Sequence, residues 1–176
     1  MRRVLYSVAM SLDGYIAGPN GEFDWIPMDE TIDWAAFMGR FDTVLVGRKT
    51  YEVATRPGSA ASLPDMRTFV FARTLRAGEH PSVTVVSENA ASVVEALRQE
   101  SGKDIWLMGG GVLFRSLLEA GQVDAVETGV VPILLGRGLP LLPSLSRPVR
   151  LALTKTQNYP SGIVLLTYDV LRESAS

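Results

Sequence analysis

Two glycine-bearing stretches have the residue types for chemistry. In Ile105-Trp106-Leu107-Met108-Gly109-Gly110-Gly111, four apolar residues read as a buried strand and three glycines follow. Val112 to Ala120 then reads as a helix, with Leu113, Phe114, Leu117 and Leu118 at helical spacing. Without Cβ atoms, backbone N–H groups can face a phosphate at the positive end of that helix. The same residues also suit a tight turn with no ligand. The spacing is not the dinucleotide fingerprint: G-x-G-x-x-G needs glycine where Phe114 stands, and Asp124 comes too soon for the ribose acid. The second stretch is Gly47-Arg48-Lys49-Thr50-Tyr51-Glu52, after a buried strand Thr43 to Val46. A helix start with two cations and a hydroxyl is an anion cradle, and cations there oppose the helix dipole unless an anion is bound.

Smaller signals repeat the pattern. Ala72-Arg73-Thr74 follows the strand Thr68 to Phe71, and Ser87-Glu88 follows the strand Val83 to Val86. Asp33 lies near the start of a helix expected over Asp29 to Gly39, with Asp29 as its cap. A carboxylate there can serve a reaction if a cleft perturbs it, or it can simply suit the helix dipole.

The elements that must position these groups alternate. Val4 to Met10 reads as a central strand, and Ser92 to Glu100 as a helix facing inward through Val93, Val94 and Leu97. The loop from Asp13 to Ile26 carries Tyr15, Ile16, Phe23, Trp25 and Ile26, so it either folds over a cleft or packs on the core. Thr55 to Arg67 reads as loop around Pro57, Gly58 and Pro64, and Pro132 to Pro143 as loop around Gly136-Arg137-Gly138. Val123 to Val131 is a strand carrying Thr128, and Val149 to Tyr159 and Ile163 to Leu171 flank a hairpin turn at Pro160-Ser161-Gly162. Strand-helix alternation followed by a closing β section predicts an α/β fold. It is a three-layer α/β/α sandwich with a mostly parallel central sheet and an antiparallel C-terminal hairpin. Ligands of such sheets sit outside the carboxyl ends of the strands. If the strands are parallel neighbours, the clusters at Gly47, Arg73, Ser87 and Gly109 fall along one rim. A row of phosphate-friendly loops suits a dinucleotide, and the arginines at 48 and 73 suit an extra 2′-phosphate.

Composition bounds the rest. The 176 residues fit a single domain, expected over residues 1–176. Hydrophobic residues are 47% and charged residues 20%, with a net charge of -2, so neither a nucleic-acid surface nor a polybasic membrane face is expected. Cysteine is absent, which excludes thiol catalysis and cysteine-ligated metals; no metal is expected. The single histidine, His80, sits in a polar stretch with no G-x-S-x-G elbow to make a triad. No signal-peptide pattern or spanning apolar stretch is seen, so a cytoplasmic location is the expectation.

These residues resemble the dihydrofolate-reductase-fold family, in particular the reductase C-terminal domain of the riboflavin-pathway deaminase-reductase, here as a stand-alone member. The matches are Ser11-Leu12-Asp13-Gly14 with Ala17, Gly21 and Trp25-Ile26; Gly47 to Glu52; Gly109-Gly110 with Leu113; and Val123-Asp124 through Pro132 to Leu135-Gly136. The resemblance implies an NADPH-dependent oxidoreductase acting on a C=N bond of a pyrimidine or pteridine. The candidate substrates are the phosphoribosylaminouracil of riboflavin biosynthesis or, alternatively, dihydrofolate or another pterin. By position, Ala9, Ala17, Gly47, Arg48, Lys49, Thr50, Ala72, Arg73, Ser87, Gly109, Gly110, Gly111, Val112, Leu113 and Phe114 would hold NADPH. Asp33, allowing a two-residue gap, and Thr128 would be the catalytic pair at the substrate pocket. The Gly109–Gly110 bond would be cis, and the C-terminal strands would offer a homodimer edge. The chain departs from riboflavin-pathway reductases at Met108, where they often carry an acid, and at Glu52 to Pro57, where an Asp-Asp-Pro segment is absent. Two rivals of other classes are a non-catalytic NADPH-binding dimer, in which Asp33→Asn changes nothing, and a phosphate-binding enzyme without nicotinamide.

Overall fold

Apolar runs without alternation, such as Val44-Leu45-Val46 and Ile105-Trp106-Leu107, need cover on both faces. The computed structural model, which describes residues 1–56 and 63–172, supplies that cover. In chain order the elements are β1 (Val4–Ser11), β2 (Tyr15–Ala17), α1 (Trp34–Met38), β3 (Phe41–Gly47), α2 (Arg48–Ala54), β4 (Arg67–Phe71) and β5 (Thr84–Val86). There follow α3 (Ala90–Gln99), β6 (Asp104–Gly109), α4 (Gly111–Glu119), β7 (Ala125–Val131), β8 (Leu139–Pro140), β9 (Leu151–Asn158) and β10 (Val164–Val170). Eight strands form one sheet in the order β5-β4-β3-β6-β1-β7-β10-β9. The first six are parallel, and β10 and β9 close the sheet antiparallel.

Successive strand residues face opposite layers. Val4, Tyr6, Leu45 and Leu107 pack with Val94, Leu97, Leu113 and Leu117 of α3 and α4. Leu5, Val44, Val46 and Trp106 pack on the other face with Tyr51 of α2 and with Phe37 and Met38 of α1. This is the expected three-layer arrangement.

The differences are local. The helix expected over Asp29 to Gly39 is only the five residues of α1, capped by Asp33, whose carboxylate accepts from the Ala36 N–H at 2.8 Å. Asp29 cannot cap it because its carboxylate is engaged elsewhere. It accepts from the Thr31 N–H at 2.9 Å, the Thr31 hydroxyl at 2.5 Å and the Ser161 N–H at 3.1 Å. The resulting turn ties this segment to the β9–β10 hairpin. The loop expected over Pro132 to Pro143 contains β8, which pairs with β2 as a small separate ribbon. Pro57 and Gly58 lie outside the described residues.

The Ser161 and Thr31 groups around Asp29 hold its carboxyl well below the ordinary value of 3.8. A depressed folded-state pKa contributes stability that is complete above the unfolded value and is lost as pH falls through the folded one. Asp29→Asn is therefore expected to be less stable than the parent at about pH 6, with the gap narrowing at about pH 3. Urea midpoints at the two pH values check this; a gap that is constant with pH removes the ionised carboxylate from the account.

Candidate functional site

Four loops that follow parallel strands lie side by side, because β5, β4, β3 and β6 are consecutive in the sheet. Their carboxyl ends carry Ser87, Ala72-Arg73, Gly47 and Gly109-Gly110. Below them opens a cleft of about 1390 Å³. That exceeds the roughly 300–1,000 Å³ of a single small-ligand pocket, so the cleft has room for two ligands end to end.

At one end the cleft is lined by two glycine corners and the helix starts that follow them. Gly47, Arg48, Lys49 and Thr50 line it from the β3–α2 corner, and Gly109 to Leu113 line it from the β6–α4 corner. Helices α2, α3 and α4 all start on this rim, and none of them has a side-chain cap. Their first N–H groups are thus left for another acceptor. The Gly109–Gly110 peptide bond is cis. The Thr50 hydroxyl lies beside both glycines, 3.5 Å from where a Cβ on either would sit. Arg48 is tied to Glu52 at 2.6 Å. Among the described residues, Arg73 has no partner, and it opens with Ser87, Glu88 and Asn89 onto a side cavity of about 480 Å³.

A strap closes the rim from above. Asp13 accepts from the Ser11 hydroxyl at 2.7 Å and from the N–H groups of Leu135 and Gly136 at 3.1 and 2.7 Å. These bonds, the Ser11 hydroxyl first, hold the Asp13 carboxyl below its ordinary range. The β2–β8 ribbon continues from this clamp. Its far end crosses α4 so closely that a Cβ on Gly111 would stand 2.8 Å from the Pro140 carbonyl oxygen and 2.9 Å from that of Leu141.

The other end of the cleft is apolar with a polar floor. Phe37, Phe41 and Trp106 form a mutually packed aromatic group, with Phe37 edge-on to Trp106 at 5.1 Å. Beside it, Glu127 accepts from the Ser7 hydroxyl at 3.0 Å, the Thr167 hydroxyl at 3.1 Å and Arg40 Nη1 at 3.1 and 3.3 Å. Asp33 also lines this end, with its carboxylate exposed.

This architecture has known relatives. The RibD C-terminal domain matches residues 2–165. The chain belongs to the RibD C-terminal domain family. It is 31% identical to the uncharacterised protein YyaP of Bacillus subtilis (strain 168), over 95% of this chain and 94% of that one. It is 30% identical to YwjB of the same organism, over 93% and 96%. A solved structure from Shewanella sp. PV-4, provisionally assigned to riboflavin biosynthesis, superposes with a TM-score of 0.82 at 26% identity, covering 97% of this chain and 99% of that one. A dihydrofolate reductase from Enterococcus faecalis, solved with NADP(H), shares the fold with a TM-score of 0.69 at 20% identity, covering 96% of each chain. The RibD C-terminal domain family is one of oxidoreductases, the reductase domain of riboflavin biosynthesis.

Within this RibD C-terminal domain, the cleft brings together most of the residues singled out from sequence. Ala9, Ala17, Ala72, Arg73, Ser87 and Asp33 line it together with the two glycine corners. Phe114 and Thr128 do not. Phe114 is 2% exposed and stacks on Tyr6 at a centroid distance of 3.8 Å, within the α3–α4 layer. Thr128 is buried and, by strand alternation, faces the same layer as Val126. Its neighbour Glu127 faces the cleft instead. Sequence reading missed Glu127, although a charged residue in the middle of a strand covered on both faces must find partners. His80 is no free loop histidine: its Nδ1 lies 3.0 Å from the Tyr51 hydroxyl.

Proposed function

We propose that this chain is an NADPH-dependent reductase that delivers hydride to a C=N bond of a pyrimidine- or pteridine-type ring. The observation that carries the reading is the row of uncapped helix starts and glycine corners along one rim, continuous with an aromatic pocket. NADPH, when bound, supplies the hydride. Gly47 to Thr50 and Gly109 to Leu113 would hold its phosphates, and Arg73 with Ser87 would take the 2′-phosphate. Ala9, Ala17 and Ala72 keep the walls low where the cofactor passes. The strap from Tyr15 to Pro140 excludes water over the reacting end. Trp106 and Phe37 offer an apolar bed that fixes the substrate ring. Asp33, exposed at the mouth and held by its own cap bond, would pass a proton from solvent to the ring nitrogen directly or through one water. Leu151 and Leu153 are exposed on the open edge strand β9, where a second copy would pair to make a homodimer.

Fluorescence titration with NADPH and NADH, reported by Trp25, Trp34 and Trp106, tests this. Micromolar NADPH binding is expected, with NADH weaker. Arg73→Ala is expected to weaken NADPH by about tenfold or more, the effect of one charge-assisted contact, and to leave NADH unchanged. Failure of both dinucleotides to bind ends the reductase reading.

A further inference from the structure

The substrate end of the cleft holds a second cationic group, separate from the cofactor rim. On the sheet face toward α1, Ser7, Glu127, Thr167 and Lys155 stand in one cross-strand row over β1, β7, β10 and β9. Glu127 is buried, with its side chain 4% exposed, and its two oxygens are taken by Ser7, Thr167 and Arg40 Nη1. It has little capacity left for a ligand. Arg40 is the opposite case. Its side chain is 39% exposed and lines the cleft, while Glu127 holds Nη1 and the rings of Phe37 and Phe41 pack under the guanidinium at 5.5 and 5.2 Å. Among the described residues, no protein acceptor meets its Nε or Nη2. The guanidinium is thus fixed in orientation with donors to spare.

Lys155 lies two strands from Glu127, about 10 Å at the usual strand spacing, within reach of two long side chains closing on one anion. It lines the cleft and has no partner among the described residues. It faces the cleft because of a bulge in β9. Thr167 pairs with Lys155 and Tyr168 with Leu153, so Thr154 is the extra residue. Gln157, one step further, faces the cleft as well.

We propose that Arg40 and Lys155 form an anion subsite for the substrate, so that the ring reduced here carries a phosphate or carboxylate substituent. Glu127 is the positioning residue that aims Arg40. This rests on the substrate lying at the aromatic end of the cleft, as in the proposed function above.

The experiment compares matched probes by calorimetry on the protein saturated with NADP⁺, and again without it. Uridine 5′-monophosphate against uridine reports phosphate; pterin-6-carboxylate against pterin reports carboxylate. One anionic probe is expected to bind about tenfold or more tightly than its neutral partner. That preference is expected to shrink several-fold in Lys155→Met, an exposed site that leaves the fold intact, and to vanish in Arg40→Met/Glu127→Gln. The double change removes a cation and an anion together. Lost preference therefore reports the missing guanidinium donors and not a change in net charge. Arg76→Met, at an exposed cation outside the cleft, should leave the preference unchanged. Which pair shows the effect identifies phosphate or carboxylate as the source. The subsite is overturned if the parent protein shows no preference in either pair. It is also overturned if the preference survives in both Lys155→Met and the double variant, or is lost in Arg76→Met. If NADP⁺ fails to bind but the preference still depends on Arg40 and Lys155, the cofactor reading falls and the subsite stands.

Discussion

Arg40→Met is expected to lower the unfolding free energy by about 2–3 kcal/mol, and adding Glu127→Gln is expected to return most of it. Removing one member of a fully buried ion pair costs about 3–5 kcal/mol because the other charge stays in a poorly solvated place. Here the carboxylate is the buried partner, and its cation is 39% exposed. Water can enter where the guanidinium was, which puts the effect at or below the lower end of that range. Ser7 and Thr167 still donate to Glu127 in the single variant, but two neutral hydroxyls do not replace a cation. The amide in the double variant needs no counter-charge. Arg48→Met gives the contrast. Arg48 and Glu52 form a surface pair four residues apart on α2, with side chains 43% and 44% exposed, and such pairs contribute about 0.5 kcal/mol or less. Urea titration of the four proteins with a shared slope checks the series. A double variant no more stable than Arg40→Met would show that the loss comes from packing on Phe37 and Phe41, not from the stranded carboxylate.

Gly111→Ala is expected to cost about 2–3 kcal/mol and to weaken NADPH by tenfold or more. The added Cβ would meet the carbonyl oxygens of Pro140 and Leu141, at 2.8 and 2.9 Å, and the Pro143 ring at 3.0 Å. Two of these three obstacles are backbone, so no rotamer change relieves them. The strap from 139 to 143 must lift off α4 instead. Lifting it opens the rim where the α4 N–H groups and the β2–β8 ribbon meet. Gly78→Ala is the control: it has open space around its Cβ position and is expected to stay within about 0.5 kcal/mol of the parent. Thermal midpoints and NADPH titration read both effects. A stable Gly111→Ala protein with intact NADPH affinity would mean that the strap does not shape the cofactor rim.

The parallel sheet and its glycine corners were legible because both depend on short-range signals. Apolar runs at Val44 to Val46 and Ile105 to Leu107 imply strands covered on both faces, and glycines at their ends imply close backbone approach. The rim followed once these strands proved to be neighbours. What was not legible depends on distant partners. The helix expected from Asp29 is shortened because the Asp29 carboxylate prefers Thr31 and the Ser161 N–H, 132 residues away. The β2–β8 ribbon joins segments of three and two residues, too short to show an alternation. Thr128 is singled out by the family resemblance, whereas strand parity gives the cleft to Glu127. The link from Glu127 to Arg40 spans 87 residues, so nothing local announces it.

The bulge at Thr154 gives the sequence of β9 a dependence on counting. A strand's side chains alternate strictly, so the extra residue is what lets Leu151 and Leu153 face one layer while Lys155 and Gln157 face the cleft. Deleting Thr154 would leave Leu153 opposite Tyr168 and Lys155 opposite Thr167 as immediate neighbours in an unbulged strand, with both facings kept. Removing Ala152 or Thr156 while the bulge stays would instead turn the strand beyond that point over. Among relatives, a one-residue gap at Thr154 would therefore keep the lysine and glutamine in the cleft and remove only the local bend, whereas a gap at 152 or 156 would change which side chains the cleft receives.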